Sequence, residues 1–481
     1  MISLATNRLG SLSFFLISSL VLILPAFFSQ NSSHVIALVF LLVLFVSLYI
    51  LGTKDIFSPY FLYSAFLILL PVSSLYYDSI GLNHNDFLMG YFDLSNKEHL
   101  QYLQSKALLY CLFCYISSTF GFFLFVNKDK PGDYSNVKDA TFSTKTILPI
   151  AFLFSFVGLV NFSYNVFFFS NGSLISYLGN IFARSYEFRE MGGTTIGYIF
   201  SYMATYMLLY QSYKCNRYKG YYKWLFFISL ILSTLMVFST GRIFSTISYF
   251  MVFIIVNYYW NYEIEKSRTN RYIFLALLLL FVGVFIYFFR FASSLSYIGK
   301  AEGNLLLVAV DLFELKDLGY FVFEKGNTPN LPLLMFIIEY WDITNKAMLG
   351  ESFFSFTYAF LPSEIRPIDY QPSAVIKTEW FQHLPGGNLP PTGFGEFFMN
   401  FGLYGATLAM FFWGVLCALV TNFFRRSNNY FFLVIYASLS FGFFFQFSKN
   451  EFDNLSIWFI LPGIFSWSVL KLFSYLLRKQ G

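Results

Sequence analysis

The chain has 481 residues, of which 57% are hydrophobic and 23% aromatic against only 12% charged, and its formal net charge is +5. So few polar side chains cannot cover the surface of a water-soluble globule, so lipid must serve as the solvent for much of the chain. In that setting the small positive balance bears on topology and not on nucleic acid.

Phe (67) and Tyr (36) are abundant. Composition alone leaves two uses open for them, lipid-facing filler and an aromatic-lined path for a lipid or a sugar. Of the four cysteines, Cys111 and Cys114 form a CxxC inside an apolar run. Buried helix filler is the expected role there, rather than a metal or redox site. Cys215 reads as cytoplasmic and Cys417 as intramembrane, so no external disulfide is expected.

At the N-terminus Arg8 precedes an apolar stretch from Leu12 to Phe28. It has the look of a signal peptide but lacks a small-x-small cleavage site, and it is expected to be an uncleaved first span. A bilayer-spanning helix needs roughly 20 mostly apolar residues, and about twelve segments fit that template. They are 11–29, 34–52, 56–76, 105–126, 146–169, 195–213, 224–239, 243–260, 272–291, 395–424, 430–447 and 455–476. The segment from Gly395 is long for one crossing, so its first turns are expected to tilt or to stand in the outer interface.

Basic residues orient these spans. Alternate loops hold Lys54, then Lys128 to Lys145, then Lys214 to Lys223, then Lys266 to Arg271, and finally Arg425 with Arg426. Both termini belong to this set through Arg8, Arg478 and Lys479, so both are expected in the cytoplasm. The fold class expected is an all-α polytopic membrane protein in three parts. Residues 1–291 carry spans one to nine, 292–394 form a large extracytoplasmic loop, and 395–481 carry the last three spans. Within the loop, 304–313 and 331–341 are apolar but too short to cross, and each suits an interfacial or re-entrant helix.

The stretch "LPGGNLPPTGFGEFFMNFG" then leads from the outer loop into a span. Pro390 and Pro391 keep the approach extended. Thr392 is a candidate N-cap, and Glu396 falls in the first turns, where a carboxylate suits the helix dipole. Glu396 and Asn400 are four apart and so share one helix face, which points to the wall of a cavity more than to lipid contact.

The sequence has no Walker A pattern, no GxGxxG on a strand-turn-helix, no HExxH and no paired CxxC, so neither a metal nor a cofactor is expected. The expected cytoplasmic loops are too short for a nucleotide-sugar domain. Chemistry would therefore take place at the outer face, on an activated substrate already across the membrane. Candidate anion-binding groups lie at that face. Arg242, in "FSTGRIFST", joins two short spans whose lengths of roughly 24–27 Å fall slightly below a hydrocarbon core of about 30 Å. Arg290 ends another span, and Arg184 and Arg189 lie in the loop before the sixth. Each could simply snorkel to lipid phosphate. Together they would suit a pyrophosphate, which planar guanidinium groups grip bidentately. The stretch 361–387 adds Glu364, Arg366, Asp369, Lys377, Glu379 and His383, residue types able to take a proton from a hydroxyl or to balance a departing phosphate. A solvated loop with ordinary charges is the plainer account of them.

The number of spans, the large late loop, the hairpin arginine in "TGR" and the closing "PPTGFGEFFMNFGLYGA" together resemble the O-antigen polymerases, the Wzy-type oligosaccharide repeat-unit polymerases. The architectural likeness covers nearly the whole chain, and the local signature mainly 386–405. The resemblance implies a GT-C-like glycosyltransferase at the outer face of the bacterial inner membrane. It would move a growing chain from undecaprenyl pyrophosphate to a new lipid-linked unit, without nucleotide sugar or metal. Donor and acceptor would both be undecaprenyl-pyrophosphate-linked oligosaccharides in the bilayer, and a chain-length regulator is an expected partner. Arg242 would match the family's hairpin arginine and Glu396 the acidic residue of its final "GE" motif. Other roles follow from position. Arg290, Arg184, Arg189, Arg366, Lys377 and Asn400 would bind substrate, and Glu379 or His383 could share acid–base work with Glu396. Some members pair outer-loop arginines with a glycine at a fixed interval. Arg184, Arg189 and Arg366 lack that spacing, so a two-loop capture scheme is not expected here.

Two other functions fit parts of the pattern. An O-antigen ligase has similar architecture, but its histidine-glycine signature is out of register at His383. A lipid-linked oligosaccharide flippase or other transporter would suit twelve spans, yet it usually carries charge near mid-membrane, where these spans have almost none. A purely structural membrane component would leave the outer arginines without a reason.

Overall fold

The computed structural model describes residues 33–50, 55–80, 96–127, 142–179, 196–214, 220–239, 243–260, 270–279, 282–283, 331–344, 347–358, 391–427, 429–449 and 452–479. Every regular element among them is helical. In chain order the main helices are α1 (Ser33–Ile50), α2 (Pro59–Leu67), α3 (Leu69–Ile80), α4 (Lys97–Phe125), α5 (Thr144–Ser170), α6 (Ile196–Lys214), α7 (Tyr221–Phe238), α8 (Ile243–Trp260), α9 (Leu331–Thr344), α10 (Thr392–Arg426), α11 (Tyr430–Ser438) and α12 (Leu461–Lys479). Six helical stretches are long and apolar enough to cross a membrane: Ser33–Ile50, Pro59–Ser79, Lys97–Phe125, Thr144–Ser170, Tyr221–Phe238 and Thr392–Arg426. The described residues are thus all-helical, and the apolar helices among them are those of a membrane protein.

The described parts of the expected spans fall on helices. The segments 11–29 and 304–313 and half of 272–291 lie outside the described residues. Local signals set several boundaries. The Ser143 hydroxyl accepts from the Thr146 amide and caps α5, and Asn171 ends that helix in the left-handed region. Helix α7 begins at Tyr221 rather than 224, which lengthens it to 18 residues, or about 27 Å. Helix α6 is not among the six apolar stretches, because Tyr198, Tyr202, Tyr206 and Tyr210 recur along it at four-residue spacing. All four are buried, so protein rather than lipid surrounds that face.

Contacts divide the chain into two compact units, neither continuous in sequence. The first comprises Met1–Asp129, Leu318–Phe423 and Phe443–Ile457. In it α4 and α10 run side by side in the same direction. Tyr110 of α4 donates to the Phe394 carbonyl, and Ser117 donates to the Thr407 carbonyl. Asn422 of α10 donates to the Phe125 carbonyl and accepts from the Asn127 amide. Close approach is possible because each helix offers a glycine where the other's backbone passes. A Cβ on Gly414 would lie 1.8 Å from the Ser118 carbonyl oxygen, and one on Gly121 would lie 2.2 Å from that of Phe411. Small residues at such crossings maximise dispersion contact, which matters in lipid because burying apolar surface gains little there.

The interior of this unit is polar at its hydroxyls and aromatic around them. Tyr60 bonds Thr119, Tyr115 bonds Ser47 and Ser64, and the Tyr60 ring stacks on Phe122 at 4.3 Å. Helix α10 also turns one apolar face outward, with Tyr404, Leu408, Phe412 and Phe423 all exposed, as a lipid solvent allows.

Helix α9 was expected as an interfacial or re-entrant element. Here protein covers its apolar side, with Leu331, Leu333, Leu334, Met335, Ile337 and Ile338 all buried. It packs on α4 and is pinned to it by a hydrogen bond between His99 and Glu339 at 2.6 Å and by the ion pair of Lys106 with Asp342.

The second unit comprises Lys130–Asp317, Phe424–Gly442 and Trp458–Gly481. It is built on the α5–α6 pair, where Asn165 donates to the Tyr198 hydroxyl at 2.8 Å. Thr205 of α6 meets Ser229 and Ser233 of α7. The rings of Phe142, Tyr210 and Phe431 meet edge to face.

Interhelical hydrogen bonds in membranes average only about 0.6 kcal/mol, with a maximum near 1.7, whereas overpacking costs about 1–3 kcal/mol or more. The α4–α10 crossing should therefore depend on its glycines more than on its hydroxyls. Gly414→Leu is expected to lower the thermal unfolding midpoint in detergent far more than Ser117→Ala. Equal midpoints for the two variants would refute the packing account.

Candidate functional site

The site begins with a break in a membrane helix. Helix α10 runs for 35 residues, but Gly402 interrupts it at φ 64°, ψ −171° and divides it into 392–401 and 403–426. That backbone region is open essentially to glycine alone. A Cβ at Gly402 would also lie 3.0 Å from the Trp341 ring of α9. The long segment is thus not one continuous helix. Its first turns form a separate short helix, every residue of which from Thr392 to Asn400 is buried.

Thr392 caps this helix as expected, its hydroxyl accepting from the Gly395 amide at 3.2 Å. Its φ of 67° is unusual for a β-branched residue, since a cap normally has extended backbone. Aromatic rings wall the helix. Phe353 lies 5.0 Å from Phe397 and 5.4 Å from Phe452, and Phe447 stacks on Trp413 at 3.8 Å.

A helix end leaves its last carbonyls without intrahelical partners. Here the turn at 348–350 supplies them, as Met348 N donates to the Met399 carbonyl and Leu349 N to that of Asn400. The turn is shaped by two left-handed residues, Leu349 (φ 49°) and Gly350 (φ 91°). It delivers the 3-10 helix Glu351–Tyr358 onto the face of 392–401 that carries Glu396 and Asn400.

Three side chains then form one buried network, each fully enclosed: Ser352, Glu396 and Asn400. The Ser352 hydroxyl donates to Glu396 Oε1 at 2.7 Å. The Phe452 amide donates to Oε2 at 2.6 Å. Asn400 Nδ2 donates to Ser352 Oγ and to the Glu396 carbonyl, both at 2.7 Å. Asn400 Oδ1 accepts from the Gly350 amide at 2.8 Å. Glu396 and Asn400 thus share a face, as their spacing required, but in the described structure protein covers that face. Asn400, expected to bind substrate, directs its amide to Gly350, Ser352 and Glu396.

Arg184, Arg189, Arg242, Arg290, Arg366, Lys377, Glu379 and His383 all lie outside the described residues. Ser352, Gly350 and the Phe452 amide belong to the site without having been expected there. Ser352 is one hydroxyl among many, and its partner Glu396 is 44 residues away. Only the glycine before it hinted at a turn.

A second polar cluster was also not legible. Asp78, at the end of α3, accepts from Ser33 Oγ at 2.8 and 2.9 Å and from Gln104 Nε2 at 3.1 Å, and it pairs with His34 Nδ1 at 2.9 Å. These contacts tie together the start of α1, the end of α3 and the first turns of α4. Cys111, Cys114 and Cys417 are buried free thiols. Among the described residues no group of three or more His, Cys, Asp or Glu side chains is placed to hold a metal ion.

Because Gly402 occupies a glycine-only region, Gly402→Ala should cost about 1–3 kcal/mol in backbone strain. Thermal unfolding in detergent measures this, and an unchanged midpoint would show that the break is not required. No model of a known protein family, no characterised protein and no solved structure matches the chain.

Proposed function

We propose that the chain is a membrane glycosyltransferase that polymerises undecaprenyl-pyrophosphate-linked oligosaccharide units into O-antigen or a related surface polysaccharide. The reading places this chemistry at the periplasmic face of the bacterial inner membrane. It includes about twelve spans, cytoplasmic termini and a GT-C-like fold. The observation that carries it is Glu396, a carboxylate wholly buried on a broken membrane helix and held at both oxygens. Ionisable residues inside membrane helices are costly and mark functional sites by default. Glu396 is also the acidic residue of the "TGFGEFF" motif on which the family resemblance rests.

In the proposed reaction a hydroxyl of the acceptor sugar attacks the anomeric carbon of the donor chain. The bond from that carbon to the pyrophosphate oxygen breaks, and its electron pair leaves with undecaprenyl pyrophosphate. The hydroxyl proton passes to a carboxylate or imidazole, for which Glu396 is the first candidate and Glu379 and His383 are the others. Arg242 and Arg290, with Arg184 or Arg189, would stabilise the departing pyrophosphate. Arg366 and Lys377 would add positive charge from the outer loop.

A second reading draws support from the same break. Discontinuous helices line the substrate sites of transporters, so a lipid-linked oligosaccharide flippase also fits a helix interrupted at Gly402. The polysaccharide pattern of a deletion strain separates the two. Core bearing a single repeat unit, with the ladder gone, is expected for a polymerase. Bare core would instead assign a flippase or a ligase. Complementation with Glu396→Gln or Arg242→Ala is expected to cut polymer yield by about 10²–10⁴-fold. A normal ladder from Glu396→Gln would remove that residue from the chemistry.

A further inference from the structure

We propose that Ser352 is a positioning residue for Glu396, holding its carboxylate in one orientation through a hydroxyl whose proton has a single direction. The inference rests on the reading of Glu396 as the proton acceptor and adds a residue that no sequence motif marked.

The direction follows from the donor and acceptor inventory. Asn400 Oδ1 faces the Gly350 N–H at 2.8 Å, and an amide N–H can only donate. This fixes the orientation of the Asn400 amide, so the group facing Ser352 Oγ at 2.7 Å is Nδ2, also only a donor. Ser352 has one proton, and it must therefore point away from Asn400. Glu396 Oε1 lies on that side at 2.7 Å and accepts from the hydroxyl. The backbone turn at Gly350 thus sets Asn400, Asn400 sets Ser352, and Ser352 sets Glu396. The Phe452 amide holds the other oxygen at 2.6 Å. With a donor on each oxygen, from two elements far apart in sequence, the carboxylate plane cannot rotate without breaking a bond. Pre-set donors of this kind are how a buried base is kept in productive geometry.

Glu351 is exposed, and Glu339 and Asp342 of α9 pair with His99 and Lys106.

The test uses membranes carrying each full-length variant, supplied with the lipid-linked repeat units that accumulate in the deletion strain. Ser352→Ala is expected to lower the maximal polymerisation rate by about 10–100-fold, in line with the loss of one hydrogen bond to a charged group. The half-saturating concentration of lipid-linked units should stay near wild type, because Ser352 is proposed to touch the base and not the substrate. Ser352→Thr, which keeps the hydroxyl, should restore most of the rate. If the alanine variant fails to accumulate, Ser352→Cys gives the same test, since a thiol of similar size is a weak donor. A wild-type maximal rate in Ser352→Ala or Ser352→Cys, alongside loss in Glu396→Gln, would overturn the role of Ser352 while leaving that of Glu396. A raised half-saturating concentration with an unchanged maximal rate would overturn it too, by making Ser352 a substrate contact. A wild-type rate in Glu396→Gln would instead overturn the reading beneath it.

Discussion

A helix that stops inside a membrane protein must find partners for the carbonyls it abandons, and the first unit is arranged around one such stop. At Gly402 the chain enters a backbone region that only glycine occupies readily. The carbonyls of Met399 and Asn400 are then met by the amides of Met348 and Leu349. Leaving either unmet would cost about 1–3 kcal/mol, so the turn at 348–350 is bound to the break by the demands of the backbone itself. Ser352 reaches Glu396 because of where that turn lies. The side-chain network is thus a consequence of main-chain accounting.

The rest of the unit keeps this arrangement from relaxing. Gly121 and Gly414 bring α4 and α10 into backbone contact, which fixes the level of 392–401 against Tyr110. Helix α9 is held to the first turns of α4 by His99–Glu339 and Lys106–Asp342, and its Trp341 ring closes over Gly402. The pairs are partly exposed and worth little singly. Their effect is geometric, since they set the helix from which the 348–350 turn departs.

How much of this could be read in the sequence depends on the range of each interaction. Membrane helices are announced by about 20 consecutive apolar residues, a local signal, and so α1, α4, α5 and α10 fall close to where hydropathy put them. The cap at Thr392 and the shared face of Glu396 and Asn400 are equally local and equally legible. The excess length of α10 was visible, but the place of its break was not. Gly402, Gly405 and Gly414 lie close together, and only the neighbours of each decide which one leaves the helix. The burial of α9 was not legible, because an apolar segment too short to cross a membrane reads the same whether lipid or protein covers it. Ser352 and the Phe452 amide join Glu396, and the Gly350 amide joins Asn400, across 44 to 56 residues, and no spacing rule spans such intervals.

The two donors on Glu396 also differ in when they exist. Ser352 and Asn400 lie before or just beside the carboxylate, so both are available as soon as 392–401 has been made. The Phe452 amide comes 56 residues later, which at about 5–20 residues per second is an interval of roughly 3–11 s. During synthesis the carboxylate therefore enters its helix with one oxygen held and the other waiting for a donor that the ribosome has not yet reached. The last segment of the chain does more than add spans. It closes a polar site that the earlier part leaves half-built, so a ribosome that stalls between 400 and 452 would strand an incompletely bonded carboxylate among apolar helices.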